Sequence, residues 1–205
     1  MNEKVDLRND DAWLFAYGSL VDPDSCERTV GKALHAPIPV MALGLRRGWT
    51  ALSDNSQDGR YVCDTCGGLP QLTLSVGIWL EASSHCAGVL VWVGADKWDA
   101  LDERETGYER VRLSADALGD PRGMRGAGVW TYLGVPPRAE WPEGTIISAS
   151  YVARLATAFN ALGSPFHESY QGELLPSSVP VQQTKLVLPA DRAQARTHPP
   201  CRCRI

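Results

Sequence analysis

The chain has 205 residues, of which 44% are hydrophobic and 21% are charged, and its formal net charge is -4. This length and composition predict one well-buried globular domain and argue against a second full one. The negative net charge disfavours nucleic acid or an anionic membrane surface as a partner. No apolar region follows the polar N-terminus as in a signal peptide, and no stretch approaches the ~20 apolar residues of a membrane span. We therefore expect a cytoplasmic protein with reduced thiols.

A short apolar segment near the N-terminus leads into a glycine loop and then a helix. The segment Trp13–Ala16 is predicted to be a strand, and Asp22 is predicted to cap a helix whose first residue is Pro23. The loop between them consists of Tyr17, Gly18, Ser19 and Leu20. Gly18 has no Cβ, so its backbone can approach a bound group closely or take positive φ. A small-residue loop before a helix N-terminus presents N–H groups to an anion, which predicts a carboxylate or phosphate pocket. The alternative is a tight turn that packs its tyrosine and leucine into the core.

The next part of the chain alternates between extended and irregular segments. A short helix is predicted from Asp24 to about residue 34, followed by a β-rich segment over 36–52 whose two prolines restrict it to a sheet edge or a bend. Within that segment, Arg46–Trp49 is interpreted as a turn or bulge. The segment Ser53–Ser75 is the least regular of the chain, and a long excursion of this kind is usually functional or disordered.

A β-hairpin is predicted in the middle of the chain. Val76–Leu80 forms its first strand, Ser83–His85 its turn and Ala87–Val93 its second strand. Because the second strand is apolar almost throughout, we expect it to be central in its sheet, with both faces covered.

The segment Ala95–Glu105 is predicted to be a helix that carries a carboxylate on its buried side. At ~100° per residue, Trp98, Leu101 and Glu105 fall on one stripe, whereas Arg104 points elsewhere. Burial disfavours the charged carboxylate, and the negative end of the helix repels it. Both effects raise the pKa of Glu105.

Two interpretations of this buried carboxylate are open. A costly inward carboxylate is tolerated where the group is paired or where its proton affinity is used. Gly107 is expected to end the helix, and Tyr108–Leu113 to follow as a strand. A salt bridge from Glu105 to Arg110 or Arg112 on that strand is therefore the structural alternative to catalysis.

The remaining elements lead to one domain and a tail. A strand is predicted over Gly126–Gly134, a helix from Ser150 to Leu162, and a last strand over Lys185–Leu188. We assign residues 1–190 to a single domain with its core at 13–175. Residues 191–205 are polar and contain prolines, so we expect a flexible tail.

Six cysteines are more than such a chain needs. Cys63 and Cys66 have the spacing of half a zinc site, and Cys201 and Cys203 are available as a second pair. Because C-x-C is not the usual second half, the sequence favours ordinary loop cysteines and no metal. A zinc-stabilised interaction protein is the alternative that these four residues leave open.

Three features in this order are similar to a known family. They are the loop F-A-Y-G-S-L ending at Leu20, the strand G-V-L-V-W-V from Gly88, and the motif L-D-E-R-E ending at Glu105. Together they resemble the γ-glutamylcyclotransferase-like family, and the resemblance covers most of residues 13–175. It implies an α+β fold with a mixed, barrel-like sheet and flanking helices around one pocket.

The resemblance also implies a reaction and roles for six residues. The reaction is intramolecular cleavage of a γ-glutamyl amide, which releases 5-oxoproline and an amine or amino acid. In that reaction Glu105 is the acid/base, and Tyr108 lies near the pocket. The loop that holds the γ-glutamyl end is Tyr17, Gly18, Ser19 and Leu20. Because the α-amine of the substrate is itself the nucleophile, we expect no metal and no organic cofactor.

The chain also departs from the family pattern. Glu105 is followed by Thr106-Gly107 rather than directly by a glycine, and the Ser53–Ser75 excursion and cysteine-bearing tail have no family counterpart. The excursion is placed where it could rim the pocket. The substrate therefore stays open among γ-glutamyl dipeptides, glutathione and γ-glutamyl amines. The oligomeric state is also open, and the second functional hypothesis is a non-catalytic small-molecule-binding module.

Overall fold

A computed structural model describes residues 10–32, 34–118, 127–174 and 178–203. Two predicted boundaries lie outside these ranges. They are Gly126, where a strand was predicted to begin, and residue 175, where the core was predicted to end. Within them the chain forms nine strands and six helices, together with short 3₁₀ turns. None of these helices has the length and apolar character that a membrane span requires.

The strands are β1 (Ala12–Ala16), β2 (Ile38–Asp54), β3 (Tyr61–Cys63), β4 (Leu72–Val93), β5 (Glu109–Leu113), β6 (Val129–Leu133), β7 (Thr145–Ser148), β8 (Val181–Gln182) and β9 (Thr184–Leu186). The helices are α1 (Pro23–Val30), α2 (Asn55–Asp58), α3 (Trp98–Arg104), α4 (Ala149–Ala161), α5 (Phe166–Glu173) and α6 (Arg192–Ala195). The elements from β1 to the end of α4 follow the predicted order, but α1 ends at Val30 rather than near residue 34, and β3, α2, β7, α5, β8 and α6 were not predicted.

The described strands form a mixed seven-stranded sheet and a separate two-stranded one. The order of the large sheet is β5-β6-β1-β4-β7-β8, with β2 paired to β4, and the small sheet pairs β3 with β9. The pairs β1/β6, β4/β7 and β7/β8 are parallel, and the other pairs are antiparallel. The predicted α+β class with a mixed sheet is thus confirmed.

The central strand is β4, as the sequence predicted. Its C-terminal half pairs with β1, from Ala16↔Val89 to Ala12↔Val93, and with β2 on its other side. The predicted hairpin turn at Ser83–His85 is wrong, because both halves of β4 pair with β2 rather than with each other. β2 is long enough to partner both halves, and the polar segment 81–84 lies opposite an irregularity at Gly44.

β2 is an edge strand among the described elements, as its prolines predicted. The stretch Arg46–Trp49, expected to be a turn or bulge, is regular strand from Arg46 to Trp49 and is followed by a bulge-like register shift between Trp49 and Ala51. Arg47 lies in this stretch and is fully buried. Two adjacent arginines suggested a solvated turn, but in a strand successive side chains point to opposite faces, so Arg46 and Arg47 have different surroundings.

The segment after Ala190 was expected to be a frayed tail, but the structure gives it defined contacts. It forms α6 and then lies along the loop after β3. The N–H of Leu69 donates to Pro199 C=O at 2.9 Å, and the N–H of Cys201 donates to Leu69 C=O at 2.7 Å. These backbone hydrogen bonds attach the polar segment to the loop after β3. The hydrophobic pattern of the sequence gives no sign of them, because they join backbone groups far apart in the chain.

Candidate active site

A cavity of about 670 Å³ lies between the loop after β1, the end of α3 and the segments 51–61 and 186–192. The structure brings all six residues of the sequence-predicted site to its lining: Tyr17, Gly18, Ser19, Leu20, Glu105 and Tyr108. The predicted excursion after β2 also reaches the lining, through Asp54, Arg60 and Tyr61 among others. The excursion therefore rims the cavity, as the sequence analysis considered.

The loop after β1 is held from both of its ends. Tyr17 is buried and its hydroxyl donates to Tyr132 C=O at 2.7 Å. Gly18 has φ -117°, so it does not use the positive φ that glycine permits. A Cβ there would lie 3.2 Å from Val76 Cγ2, so close packing is what a larger residue would disturb. At the other end, Asp22 caps α1 by accepting from Ser25 N–H at 3.3 Å, as predicted.

Glu105 stands directly after the last residue of α3. Its N–H donates to Leu101 C=O at 2.8 Å, and its C=O accepts from Tyr108 N–H at 3.0 Å. Trp98 and Leu101 are buried, which fixes the helix against the core. The Glu105 side chain is 17% exposed and faces the cavity, where its Oε1 lies 3.4 Å from Arg104 Nε.

Burial sets the protonation of this part of the cavity. It raises the pKa of the Glu105 carboxyl, while the positive charges of Arg104 and Arg60 act in the opposite direction. Burial also raises the pKa of Tyr17 and Tyr108, and the negative charge of Glu105 adds to both shifts. The phenols therefore stay protonated near neutral pH, and the upward shift of the Glu105 pKa is in the direction that favours acid–base catalysis near neutral pH.

Arg104 is the residue whose orientation the sequence analysis predicted wrongly. It does not point away but lines the cavity and links three polar side chains of the loop and α1. Nη1 donates to Thr29 Oγ1 at 2.7 Å, and Nη2 donates to Ser19 Oγ at 2.8 Å and to Ser25 Oγ at 3.3 Å. A helical wheel misplaces it because α3 ends here and a long arginine side chain reaches back to its partners.

The alternative for Glu105 was a salt bridge to Arg110 or Arg112, and the structure shows other ion pairs instead. Arg110 Nη2 lies 3.4 Å from Asp102 Oδ2, and Tyr132 donates to the other oxygen of Asp102 at 2.6 Å. The ion-pair partner of Glu105 is the adjacent Arg104. Asp102 rather than Glu105 thus pairs with Arg110, and the Glu105 carboxylate lies on the cavity side.

Several arginines and tyrosines of the cavity were missed from the sequence. They come from four separate parts of the chain and are Arg60, Tyr132, Tyr151, Arg154 and Arg192. The Nε atoms of Arg60 and Arg154 are buried and, among the described residues, have no hydrogen-bond partner. Arg60, Arg154 and Arg192 line the same cavity, and guanidinium groups at a cavity wall favour an anionic ligand. Among these residues, only Arg60 could have been suspected from the sequence, because it belongs to the irregular segment Ser53–Ser75, which was placed where it could rim the pocket.

One group of side chains within the described residues has the spacing of a metal site. It consists of Cys63, Cys66, Cys201 and Cys203, none of which belongs to the cavity lining.

Comparison with solved structures identifies the fold. The chain superimposes on a structure named as a γ-glutamyl cyclotransferase with a TM-score of 0.56 and 15% identity, over 82% of this chain and 90% of that one. It superimposes equally on an uncharacterized protein from Homo sapiens, with a TM-score of 0.56 and 16% identity, over 92% and 99% of the two chains. No family model matches the sequence, and no curated protein is significantly similar to it. The chain therefore has the γ-glutamylcyclotransferase-like fold, as its sequence motifs implied.

Proposed function

We propose that the protein is a γ-glutamylcyclotransferase-type enzyme. It cleaves a γ-glutamyl amide by attack of the substrate's own α-amine on the γ-carbonyl and releases 5-oxoproline and an amine or amino acid. The observation that carries the proposal is the position of Glu105, a partly enclosed carboxylate with a raised pKa that faces the same cavity as the Tyr17–Leu20 loop. The predicted cytoplasmic location belongs to the same proposal.

The cavity offers complementary groups for both ends of such a substrate. The Tyr17–Leu20 loop would hold the γ-glutamyl end, with Tyr108 beside it. Arg60, Arg154 and Arg192 bring positively charged guanidinium groups to the wall, which suits a carboxylate of the substrate. Holding the substrate in a bent conformer brings the amine to the γ-carbonyl, and such positioning can supply about 7–11 kcal/mol in the best cases.

Glu105 would carry the proton transfers. In its ionised form it accepts a proton from the α-ammonium, and the free amine then attacks the γ-carbonyl carbon to form the five-membered ring. The C–N bond of the amide breaks as the protonated Glu105 donates this proton to the leaving nitrogen. The regenerated carboxylate then takes the second proton from the ring nitrogen and passes it to the released amine, which leaves as an ammonium ion together with neutral 5-oxoproline. A single carboxyl group of raised pKa can serve both steps, and acid–base catalysis of this kind contributes about 10²–10⁴-fold.

The test is release of 5-oxoproline from a panel of γ-glutamyl compounds. The panel contains γ-glutamyl dipeptides, glutathione and γ-glutamyl amines, and the wild type is compared with Glu105→Gln. We expect release from at least one class of substrate and a loss of about 10²-fold or more in the variant, whose circular dichroism spectrum stays that of the wild type. Glu109→Gln is the matched control, because Glu109 is an exposed carboxylate on β5 and should retain full activity.

Two outcomes would contradict the proposal. If the wild type releases nothing across the panel, yet γ-glutamyl compounds raise its melting temperature, the protein is the non-catalytic binding module considered from the sequence. If Glu105→Gln is as active as Glu109→Gln, the carboxylate is structural and the assignment of the acid/base fails.

A further inference from the structure

We propose that Cys63, Cys66, Cys201 and Cys203 bind one structural Zn²⁺ ion that fastens the C-terminal segment to the loop after β3. The four sulfur atoms all lie within 4.8 Å of one another. They come from positions up to 140 residues apart in the sequence, as for Cys63 and Cys203. Such a convergence of four thiols has no counterpart elsewhere in the described residues.

The distances within this cysteine cluster match those of a metal site. Cys66 Sγ lies 3.4 Å from Cys201 Sγ, and Cys63 Sγ lies 3.7 Å from Cys203 Sγ. Four thiolates at a Zn–S distance of about 2.3 Å in a tetrahedron have their sulfurs about 3.8 Å apart. Disulfide-bonded sulfurs are separated by only about 2.05 Å. The cluster therefore has the dimensions of a tetrahedral tetrathiolate site, and soft thiolate ligands in this geometry select zinc or iron.

The backbone is shaped to bring the two cysteine pairs together. Cys63 N–H donates to Gly68 C=O and Gly67 N–H donates to Cys63 C=O, both at 2.9 Å, so the first pair closes a tight turn. Gly67 has φ +68°, which favours glycine. A Cβ on Gly68 would lie 2.8 Å from Cys201 Cα, so a side chain there would push the second pair away.

Donors around the sulfurs suit thiolates rather than thiols. Gln182 Nε2 lies 3.4 Å from Cys63 Sγ and 3.3 Å from Cys201 Sγ. Hydrogen bonds to ligand atoms orient the ligands and offset their negative charge. Binding of the ion would displace the thiol protons, so affinity should fall as the pH is lowered.

Four protein ligands complete the tetrahedral shell, which is the pattern of a structural rather than a catalytic zinc ion. The ion would secure one wall of the cavity. Cys63 ends β3, which pairs with β9 through Tyr61↔Leu186, and Val187 N–H donates to Arg60 C=O at 2.8 Å. Arg60, Tyr61 and Leu186 all line the cavity. The sequence favoured loop cysteines because C-x-C is an unusual second half, but the spacing along the chain does not show that the tail returns to this loop.

The first experiment measures the metal content of the full chain purified under reducing conditions without a metal-affinity step. We expect one equivalent of zinc per chain by plasma mass spectrometry. Titration of the thiols with an organomercurial should release it. After removal of the metal in denaturant, all six cysteines should react as free thiols. Replacement by Co²⁺ should give the intense visible absorption of a tetrahedral thiolate site.

Variants then test the ligands individually. Cys66→Ser and Cys203→Ser should each lose most of the bound zinc, while Cys26→Ser should retain it. Cys26 is the matched control because it is buried in the core away from the cluster, where burial raises the pKa of its thiol to about 11. In hydrogen exchange, loss of zinc should speed exchange of the amides in 61–69 and 184–203 more than in β4.

Three results would overturn the assignment. One is a wild-type chain that holds less than half an equivalent of zinc and does not take up the ion after reduction. Another is a chain with only two reactive thiols, because the four cysteines would then form two disulfides. The third is an equivalent of iron in place of zinc. All three measurements use the wild type, so they stand even if a cysteine variant fails to fold, and none depends on the proposed enzymatic activity.

Discussion

Two arginine–carboxylate pairs in this molecule have the same separation and very different surroundings. Arg47 and Glu173 are joined at 3.4 Å, with side chains 0% and 7% exposed. Arg104 and Glu105 are also joined at 3.4 Å, but with side chains 25% and 17% exposed at the cavity. The comparison shows what distinguishes a structural ion pair from one that is available for chemistry.

The pair in the core is enclosed by further partners. Glu173 on α5 accepts from the N–H of Ala87 at 3.0 and 3.3 Å and from the Ser169 hydroxyl. The Arg47 guanidinium lies over the Phe159 ring, 4.5 Å from its centroid. Both oxygens of the carboxylate and one face of the cation are thus occupied, and the pair joins α5 to the two longest strands.

At the cavity, the arginine has the fixed partners and the carboxylate faces the ligand space. Arg104 donates to hydroxyls of the loop and of α1, including Ser19. Glu105 is held by its backbone and by the adjacent arginine, while burial raises its pKa. A carboxylate in this arrangement can gain and lose a proton without breaking a link between elements of the fold.

The largest effect is expected from breaking the core pair. Arg47→Met should lower the free energy of unfolding by about 3–5 kcal/mol, because it leaves the Glu173 carboxylate buried without its cation. Urea denaturation followed by circular dichroism measures this. The neighbouring Arg46→Met is the control, since Arg46 and Glu81 are 35% and 36% exposed and such a surface pair contributes little to stability. If both variants lost the same free energy of unfolding, the buried pair would contribute no more to stability than the surface pair, and the prediction would be wrong.

Breaking the cavity pair should instead affect activity. Arg104→Met should reduce kcat/KM for 5-oxoproline release by about 10²-fold, because the loop and Glu105 lose the side chain that positions both. Its stability should fall less than that of Arg47→Met. Arg112→Met, at an exposed position of β5, is expected to leave kcat/KM unchanged. An Arg104→Met enzyme with unaltered kinetics would contradict a positioning role.

The pH profile gives a smaller and more specific effect. In the wild type, the acid limb of kcat/KM should lie above the usual carboxyl pKa of 4.5, because burial raises the pKa of Glu105. The positive charge of Arg104 lowers that pKa, so Arg104→Gln should move the acid limb to still higher pH. Arg112→Gln serves as the control. A limb that stays in place, or moves to lower pH, would mean that another group controls it.

The smallest effect is expected in the stability of Glu105→Gln. The folded-state pKa of Glu105 is above its unfolded value, so the contribution of this residue to stability is largest below about 4.5 and declines as the pH rises through the folded pKa. The variant should therefore be as stable as the wild type, or slightly more stable, at pH 7, and should lose this advantage at acidic pH. Thermal unfolding at both pH values is the measurement, and a variant much less stable at pH 7 would contradict it.

The sequence predicted the parts of the molecule that depend on local pattern. The strand–loop–helix around Gly18, the central half of β4 and the inward face of α3 follow from hydrophobic period and capping residues, and all are present. The contacts of Arg47, Arg104 and the two cysteine pairs depend on segments far apart in the chain. The hairpin error has the same origin, because only the pairing with β2, which joins residues from 18 (Asp54↔Leu72) to 52 (Ile38↔Leu90) positions apart, shows that the two halves of β4 have a common partner.

The small β3/β9 sheet has a consequence for how a ligand enters. Each of its strands has three residues, whereas β2 and β4 have 17 and 22, so the amides of the small sheet should exchange with solvent long before those of the large one. The wall formed by Arg60, Tyr61 and Leu186 would then depend on the Zn²⁺ ion that we propose, because without the ion this is the side of the cavity that opens at the lowest free-energy cost. We expect loss of the ion to speed entry and release of a ligand at this wall, while the loop at Gly18 stays in place.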